Sequence, residues 1–211
     1  MSLATPNSYG LAIHTTTPQL GISLSNFAGE SREQLWDLGR DLSSRFHSHL
    51  QQILAPQTWQ DIGFIAVAKG PGGFTGTRIG VVAARTLGQQ LNIPVYGVST
   101  LAAIAHKQLS QPEANSLVAV AMPTRREQLF TAIYQVESNG TWTEYLADCT
   151  SDRDSWEQTL AQLKQPYQLV EASTDLAQSV SSILALAYAQ WQQQKGNWQQ
   201  VLPFYGQHPV R

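Results

Sequence analysis

Ala68-Lys-Gly-Pro-Gly-Gly-Phe-Thr-Gly-Thr-Arg-Ile-Gly-Val-Val-Ala-Ala-Arg-Thr-Leu-Gly88 runs the end of a strand, a glycine loop and a helix together with no spare residue between them. Phe64 to Ala68 is a short continuous apolar run, the pattern of a strand covered on both faces. Lys69 ends it. Gly70 precedes Pro71 and is expected to be extended, while Gly72 and Gly73 are expected to adopt dihedrals closed to other residues. A helix is expected from Thr75 or Gly76. Its first N–H groups have no partner inside it, so Gly70, Gly72, Gly73, Thr75 and Gly76 read as a vestigial phosphate loop, an anion cradle at a helix start. Neither common nucleotide motif is completed: Thr75 stands where G-x-G-x-x-G needs its third glycine, and no Gly-Lys pair makes a Walker loop. The competing reading is a glycine turn that only lets strand and helix pack closely.

The helix itself carries a second pattern. Gly76, Gly80, Ala84 and Gly88 recur every fourth residue and form one stripe of small side chains. Ile79, Ala83, Leu87 and Leu91 lie beside it, with Arg78, Arg85 and Gln89 on the opposite side. Interior glycine costs about 0.5–1 kcal/mol relative to alanine. The stripe therefore predicts that another backbone comes very close, either this chain's own sheet or another subunit.

The 211 residues suffice for one large or two small domains, each able to bury a core. Net charge is −2 and only 13% of residues are charged, so general electrostatic attraction to nucleic acid or membrane is disfavoured. A single cysteine, Cys149, excludes an internal disulfide and fits a reducing compartment. Met1 to Tyr9 is polar and lacks a signal-peptide layout, and no apolar run is long enough to span a bilayer. A cytoplasmic protein without membrane contact is expected.

Outward from the glycine loop, Tyr9 to Ile13 and Leu20 to Leu24 read as a hairpin, with Ser31 to Leu38 a weaker third strand. Arg40 to Leu54 reads as a helix with Leu42, Phe46, His49, Leu50 and Ile53 on one face and Arg45, Ser48 and Gln52 turned away. His47 and His49 are two apart, the wrong spacing for a shared metal on a helix. Ile93 to Val98 gives another strand, followed by a helix from Ser99 or Thr100 to about Leu109. Gln111 to Ser116 is linker-like, placing a boundary between an N-terminal lobe of residues 1–109 and a smaller C-terminal lobe of residues 110–211. There Leu117 to Met122, Gln128 to Val136 and Thr141 to Ala147 read as strands, and Ser151 to Leu163 and Thr174 to Gln194 as helices. Strands followed by helices in both halves amount to a crude duplication.

The strand Leu11-Ala-Ile-His-Thr15, the run Gly70-Pro-Gly-Gly-Phe-Thr-Gly-Thr-Arg-Ile-Gly80 and Gly97-Val-Ser-Thr-Leu101 closely resemble the TsaB (YeaZ) family, with weaker matches at Ala121 to Tyr134 and Pro203-Phe-Tyr205. The resemblance implies an α/β fold of the two-lobed actin-like, sugar-kinase-like (ASKHA) type, each lobe a mixed sheet with flanking helices. It implies a noncatalytic scaffold and dimerisation subunit that works with the catalytic paralogue TsaD and the ATPase TsaE. Their product is threonylcarbamoyladenosine beside the anticodon of tRNAs reading codons that begin with A. The implied TsaD contact uses the first two helices, at Leu42, Phe46, His49, Leu50, Gly76, Gly80, Ala83, Ala84, Leu87 and Gly88. The same surface would form a homodimer when the chain is alone, and tRNA would be met only through the complex. No cofactor is expected of the chain itself, and any nucleotide is placed at an interface within the complex.

The sequence also departs from the family. His14 stands where the first strand commonly ends in Asp, and hard cations such as magnesium prefer oxygen ligands to imidazole. Met122-Pro-Thr-Arg125 replaces Ile-Asp-Ala-Arg, and Gln207 replaces a terminal arginine. No His-x-x-x-His pair, His-Glu-x-x-His run or zinc-like cysteine spacing occurs, so no catalytic residue and no metal ligand is assigned. Asp61 and Lys69 flank the central strand without a partner base and read as solvated loop charges. Two other readings are a small ATP-dependent phosphotransferase using the glycine loop, and a homodimeric binding module with an unrelated partner.

Overall fold

The computed structural model describes residues 8–109, 113–124, 127–172 and 175–206. The polar N-terminus falls almost wholly outside these, as do Arg125, Gln207, Thr174 and part of the 111–116 linker. The chain forms two compact units, one of residues 1–100 and 175–204 and the other of residues 101–174 and 205–211.

The first unit is built on a five-stranded sheet of order β3-β2-β1-β4-β5, from β1 (Tyr9–His14), β2 (Gln19–Ser25), β3 (Ser31–Asp37), β4 (Ile62–Ala68) and β5 (Val95–Val98). The expected hairpin is present, with β1 antiparallel to β2 and Ile13 opposite Ile22. β1, β4 and β5 run parallel. The central strands are buried along nearly their whole length. Helices cover both faces, which explains why β4 reads as a continuous apolar run rather than an alternating one. On one side lie α1 (Leu42–Leu54) and α2 (Phe74–Leu91), whose Leu42, Phe46, Leu50, Val81 and Ala84 join Leu11, Ile13, Ile65 and Val67 in one core. β3 read weakly because it is an edge strand with most residues exposed. Without a buried face, alternation has nothing to select it.

The other side of this sheet is covered from far along the chain. A 3₁₀ turn at Leu176–Ser179 leads into an α-helix at Val180–Gln193, hereafter α5, which packs on β1, β2, β4 and β5. Trp191 lies 4.8 Å from the Phe64 ring, and Tyr188 stacks on Phe27 at 3.6 Å. The boundary expected at residue 110 is therefore only part of the division. Residues 175–204 return to the first unit, because the second face of its apolar sheet would otherwise lie open to water.

The second unit has a four-stranded sheet of order β8-β7-β6-β9, from β6 (Leu117–Pro123), β7 (Leu129–Val136), β8 (Trp142–Ser151) and β9 (Tyr167–Glu171). The helix α3 (Thr100–Gln108) leads into it, and α4 (Arg153–Ala161) seats Trp156 among Leu117, Ala119, Leu129 and Ile133. Asp152 caps α4 by accepting the Ser155 N–H at 2.7 Å, so that helix starts two residues later than its sequence pattern implies. β9 is an unexpected strand. Only Val170 of its five residues is buried, so it carries almost no apolar signal of its own. Both sheets run the first three strands as an antiparallel meander, in order 3-2-1, and add the fourth parallel beside the first. The duplication expected from the element order is thus present in the topology.

Candidate functional site

The glycine loop at the end of β4 is occupied by the chain itself. Gly73 donates its N–H to the Thr16 carbonyl at 2.7 Å, and Thr77 Oγ1 donates to the Gly73 carbonyl at 2.8 Å. A Cβ at Gly72 would lie 2.5 Å from Thr16 Cβ, and one at Gly76 would lie 2.0 Å from the Thr15 carbonyl oxygen. Gly70 is not extended as expected but has φ +105°, open only to glycine, and a Cβ there would meet the Phe204 carbonyl oxygen at 2.2 Å. Gly73, with φ −64°, is in ordinary extended backbone. Glycine at 72 and 76 therefore serves space rather than dihedral freedom. These contacts support the packing reading of the loop over the anion cradle, because a chain carbonyl already takes the Gly73 N–H at the start of α2. Thr75 is exposed, and the helix begins at Phe74, slightly before the expected start.

The stripe on α2 finds its close neighbour within the same unit. A Cβ on Gly80 would lie 2.2 Å from Thr15 Oγ1, and one on Gly88 would lie 2.2 Å from Val95 Cγ2. Thr15 Oγ1 donates to the Gly76 carbonyl at 2.8 Å, tying the end of β1 to the helix. Six of the ten residues assigned to a partner contact are buried in this core: Leu42, Phe46, Leu50, Gly80, Ala84 and Gly88. His49, Gly76, Ala83 and Leu87 are half-buried, His49 with its ring 4.5 Å from Trp36. Those six side chains therefore pack within the unit rather than lying open on its surface. A small-residue stripe marks close approach of a neighbour, and here the neighbour is the chain's own: the Thr15 carbonyl at Gly76 and the Thr15 and Val95 side chains at Gly80 and Gly88.

What α2 leaves outside is a different line of residues. Phe74 is 51% exposed and Val82 60%, with the Arg78 guanidinium 5.3 Å above the Phe74 ring between them. On α1 the exposed side holds Arg45, Ser48 and Gln52, the positions expected to turn away. Periodicity separated the two sides of each helix. It did not say which side meets a partner.

His14 is fully buried at the end of β1, and burial pushes its imidazole down to about 3, so the ring is neutral. Its Nε2 lies 3.4 Å from Thr16 Oγ1. Pro123, at the other departure from the family, ends β6 and is exposed. Asp61 accepts the Thr58 N–H at 2.7 Å and the Thr58 hydroxyl at 2.9 Å, and the backbone bond foremost holds its carboxyl below the usual range. It is a capping residue rather than a bare loop charge. Among the described residues no group of three His, Cys, Asp or Glu could hold a metal ion. No described helix is long and apolar enough to cross a membrane.

Two mixed-sheet units with the same opening strand order make this a duplicated two-unit α/β protein. Its fold is that of YeaZ from Pseudomonas aeruginosa, with a TM-score of 0.71 at 23% identity over 94% of this chain and 99% of that one. A second solved structure, described as a protein with similarity to peptidase YeaZ from P. aeruginosa, gives 0.73 at 22% identity over 95% of this chain and 100% of that one. The family model described as TsaD, tRNA N6-adenosine threonylcarbamoyltransferase, matches residues 39–195. The tRNA threonylcarbamoyladenosine biosynthesis protein TsaB of Bacillus subtilis is 33% identical over 171 residues, 79% of this chain and 72% of that protein. Its namesake in Escherichia coli is 33% identical over 134 residues, 63% of this chain and 57% of that protein. The chain belongs to the TsaB family.

Proposed function

We propose that this chain is a noncatalytic scaffold subunit in the synthesis of tRNA threonylcarbamoyladenosine, working with TsaD and TsaE in the cytoplasm. The observation that carries the reading is the 33% identity to the B. subtilis protein named for that pathway. The noncatalytic part is supported by His14, where a metal-positioning carboxylate is expected: the ring is buried, neutral and beside a threonine hydroxyl. A phosphotransferase would need acidic oxygen ligands for its magnesium.

The contact with TsaD is proposed on the outer sides of α1 and α2, centred on Phe74, Arg78 and Val82. Exposed apolar side chains flanking an arginine suit an interface core. The test uses cells lacking the endogenous subunit. The wild-type chain restores threonylcarbamoyladenosine in bulk tRNA, measured by nucleoside mass spectrometry, and copurifies with TsaD. V82R remains folded but does neither. Restored modification by V82R, with TsaD retained at wild-type strength, would place the contact elsewhere. ATP hydrolysis by the purified chain alone, abolished by a change within the first unit, would overturn the noncatalytic reading.

A further inference from the structure

Residues 194–204 form a strap along β5, the edge strand of the first sheet. Its near end is clasped by Tyr96, whose hydroxyl donates to the Gln194 carbonyl at 2.7 Å and accepts the Gly196 N–H at 2.9 Å. Its far end is held by the Phe204 N–H, which donates to the Lys69 carbonyl at 2.7 Å. Gly196 lies so close to β5 that a Cβ would sit 2.7 Å from the Val95 carbonyl oxygen. Between the two clasps Val201 packs against Gly97 of β5, and the strap and β5 together line a cleft of about 460 Å³. That volume falls within the range of about 300–1,000 Å³ usual for small-molecule sites.

The lining is chemically one-sided. Lys69 and Lys195 are its only charged residues among those described, and no carboxylate faces them. Gln190, Gln194, Asn197 and Gln200 add four side-chain amides, each both donor and acceptor. Lys69 is half-buried, and its stem runs beside Gly97, where an added Cβ would come within 3.6 Å of both Lys69 Cβ and Cδ. In a chain of net charge −2, this cleft is thus lined by two lysines and by no acidic residue. A one-sign cleft with low-dielectric walls concentrates counter-ions of the opposite sign.

We propose that this cleft binds a small phosphorylated molecule. The phosphoryl group, carrying a charge of roughly −1.5 to −2 at neutral pH, would sit between Lys69 and Lys195, and the amides would take the hydroxyl or base groups of the remainder. None of Phe74, Arg78 and Val82 lines the cleft, and the proposal does not rest on their assignment to TsaD.

Titration of the full chain with inorganic pyrophosphate at low salt, by calorimetry and amide NMR, tests the proposal. One-site saturable binding is expected, with shifts at β5 and the strap. K69M keeps the aliphatic stem and removes the charge, and weakens binding about tenfold or more. K195Q, on an exposed part of the strap, weakens it severalfold. K164Q, an exposed lysine of the other unit, leaves it unchanged. If K69M melts below the wild type, K195Q alone decides. No saturable binding at millimolar pyrophosphate would overturn the site. So would equal weakening by K164Q, or indifference to K195Q together with a folded K69M.

Discussion

Along its inner face α2 presents Gly76, Gly80, Ala84 and Gly88 to the end of β1 and to the sheet, whereas along its outer face it presents Phe74, Arg78 and Val82 to solvent. The inner residues are small because backbone and Thr15 stand within bonding reach of where a Cβ would be. On the outer face Phe74 and Val82 are large and apolar where water would favour polar side chains. A residue without a side chain can thus be the more constrained of the two, and an exposed valine the freer one. The inner face holds the unit together, and the outer face is what remains for a partner.

The largest expected effect lies on the inner face. G80R forces a long cation into a space where even a Cβ would lie 2.2 Å from Thr15 Oγ1. Overpacking and an unpaired buried charge together cost on the order of 5 kcal/mol or more, comparable with the whole stability of a domain. The variant is expected to be insoluble or to lack a cooperative melt in circular dichroism. G80A, carrying only the overpacking, is expected to lose about 1–3 kcal/mol. A G80R chain that melts like the wild type would erase the distinction between the faces.

On the outer face V82R should change stability by no more than about 0.5 kcal/mol. Its copurification with TsaD should fall by at least about a hundredfold, the loss of a central interface contact. Comparison of melting and binding for this pair of variants sharpens the contrast: one loses its fold, the other only its partner.

A smaller effect concerns the inner contact at His14, next to Thr15 and Thr16. Folding holds this ring neutral down to about pH 3, while the unfolded chain protonates near 6.5. The stability it carries is full above pH 6.5 and is lost as pH falls from 6.5 toward 3, at about 1.4 kcal/mol per unit. Between pH 6.5 and 5 that amounts to about 2 kcal/mol. Asp61 and Asp152 have carboxyls held below 3.8, so their contribution is lost only at lower pH. Denaturant melts at pH 7 and pH 5 should show this slope in the wild type and lack it in H14L. Equal slopes would mean that water reaches the ring.

The smallest effect is expected far from both faces. Cys149 is half-buried on β8 with Sγ 3.2 Å from Thr131 Oγ1. C149S preserves that contact and should leave stability within about 0.5 kcal/mol and tRNA modification unchanged.

Much of the first unit was legible because its signals are local. Phe64 to Ala68 is apolar without interruption, the loop follows at once, and α2 repeats small residues at the helical period. β9 was not legible, since a five-residue edge strand with one buried side chain leaves no periodic trace. Nor was the Lys69 and Lys195 cleft, whose two lysines are 126 positions apart and line one recess only because Tyr96 and Lys69 clasp a returning strap.

By itself the sequence determined that strand, glycine turn and helix follow one another, that α2 must have a close neighbour on its small-residue side, and that the chain resembles the TsaB family. Only the tertiary structure decided that the neighbour is Thr15 and the chain's own sheet, and that residues 175–204 rejoin the first unit. Periodicity reports which side of an element seeks contact, because that is written in consecutive residues. The identity of the contact depends on which distant segment buries the remaining apolar face, and no local pattern contains that information.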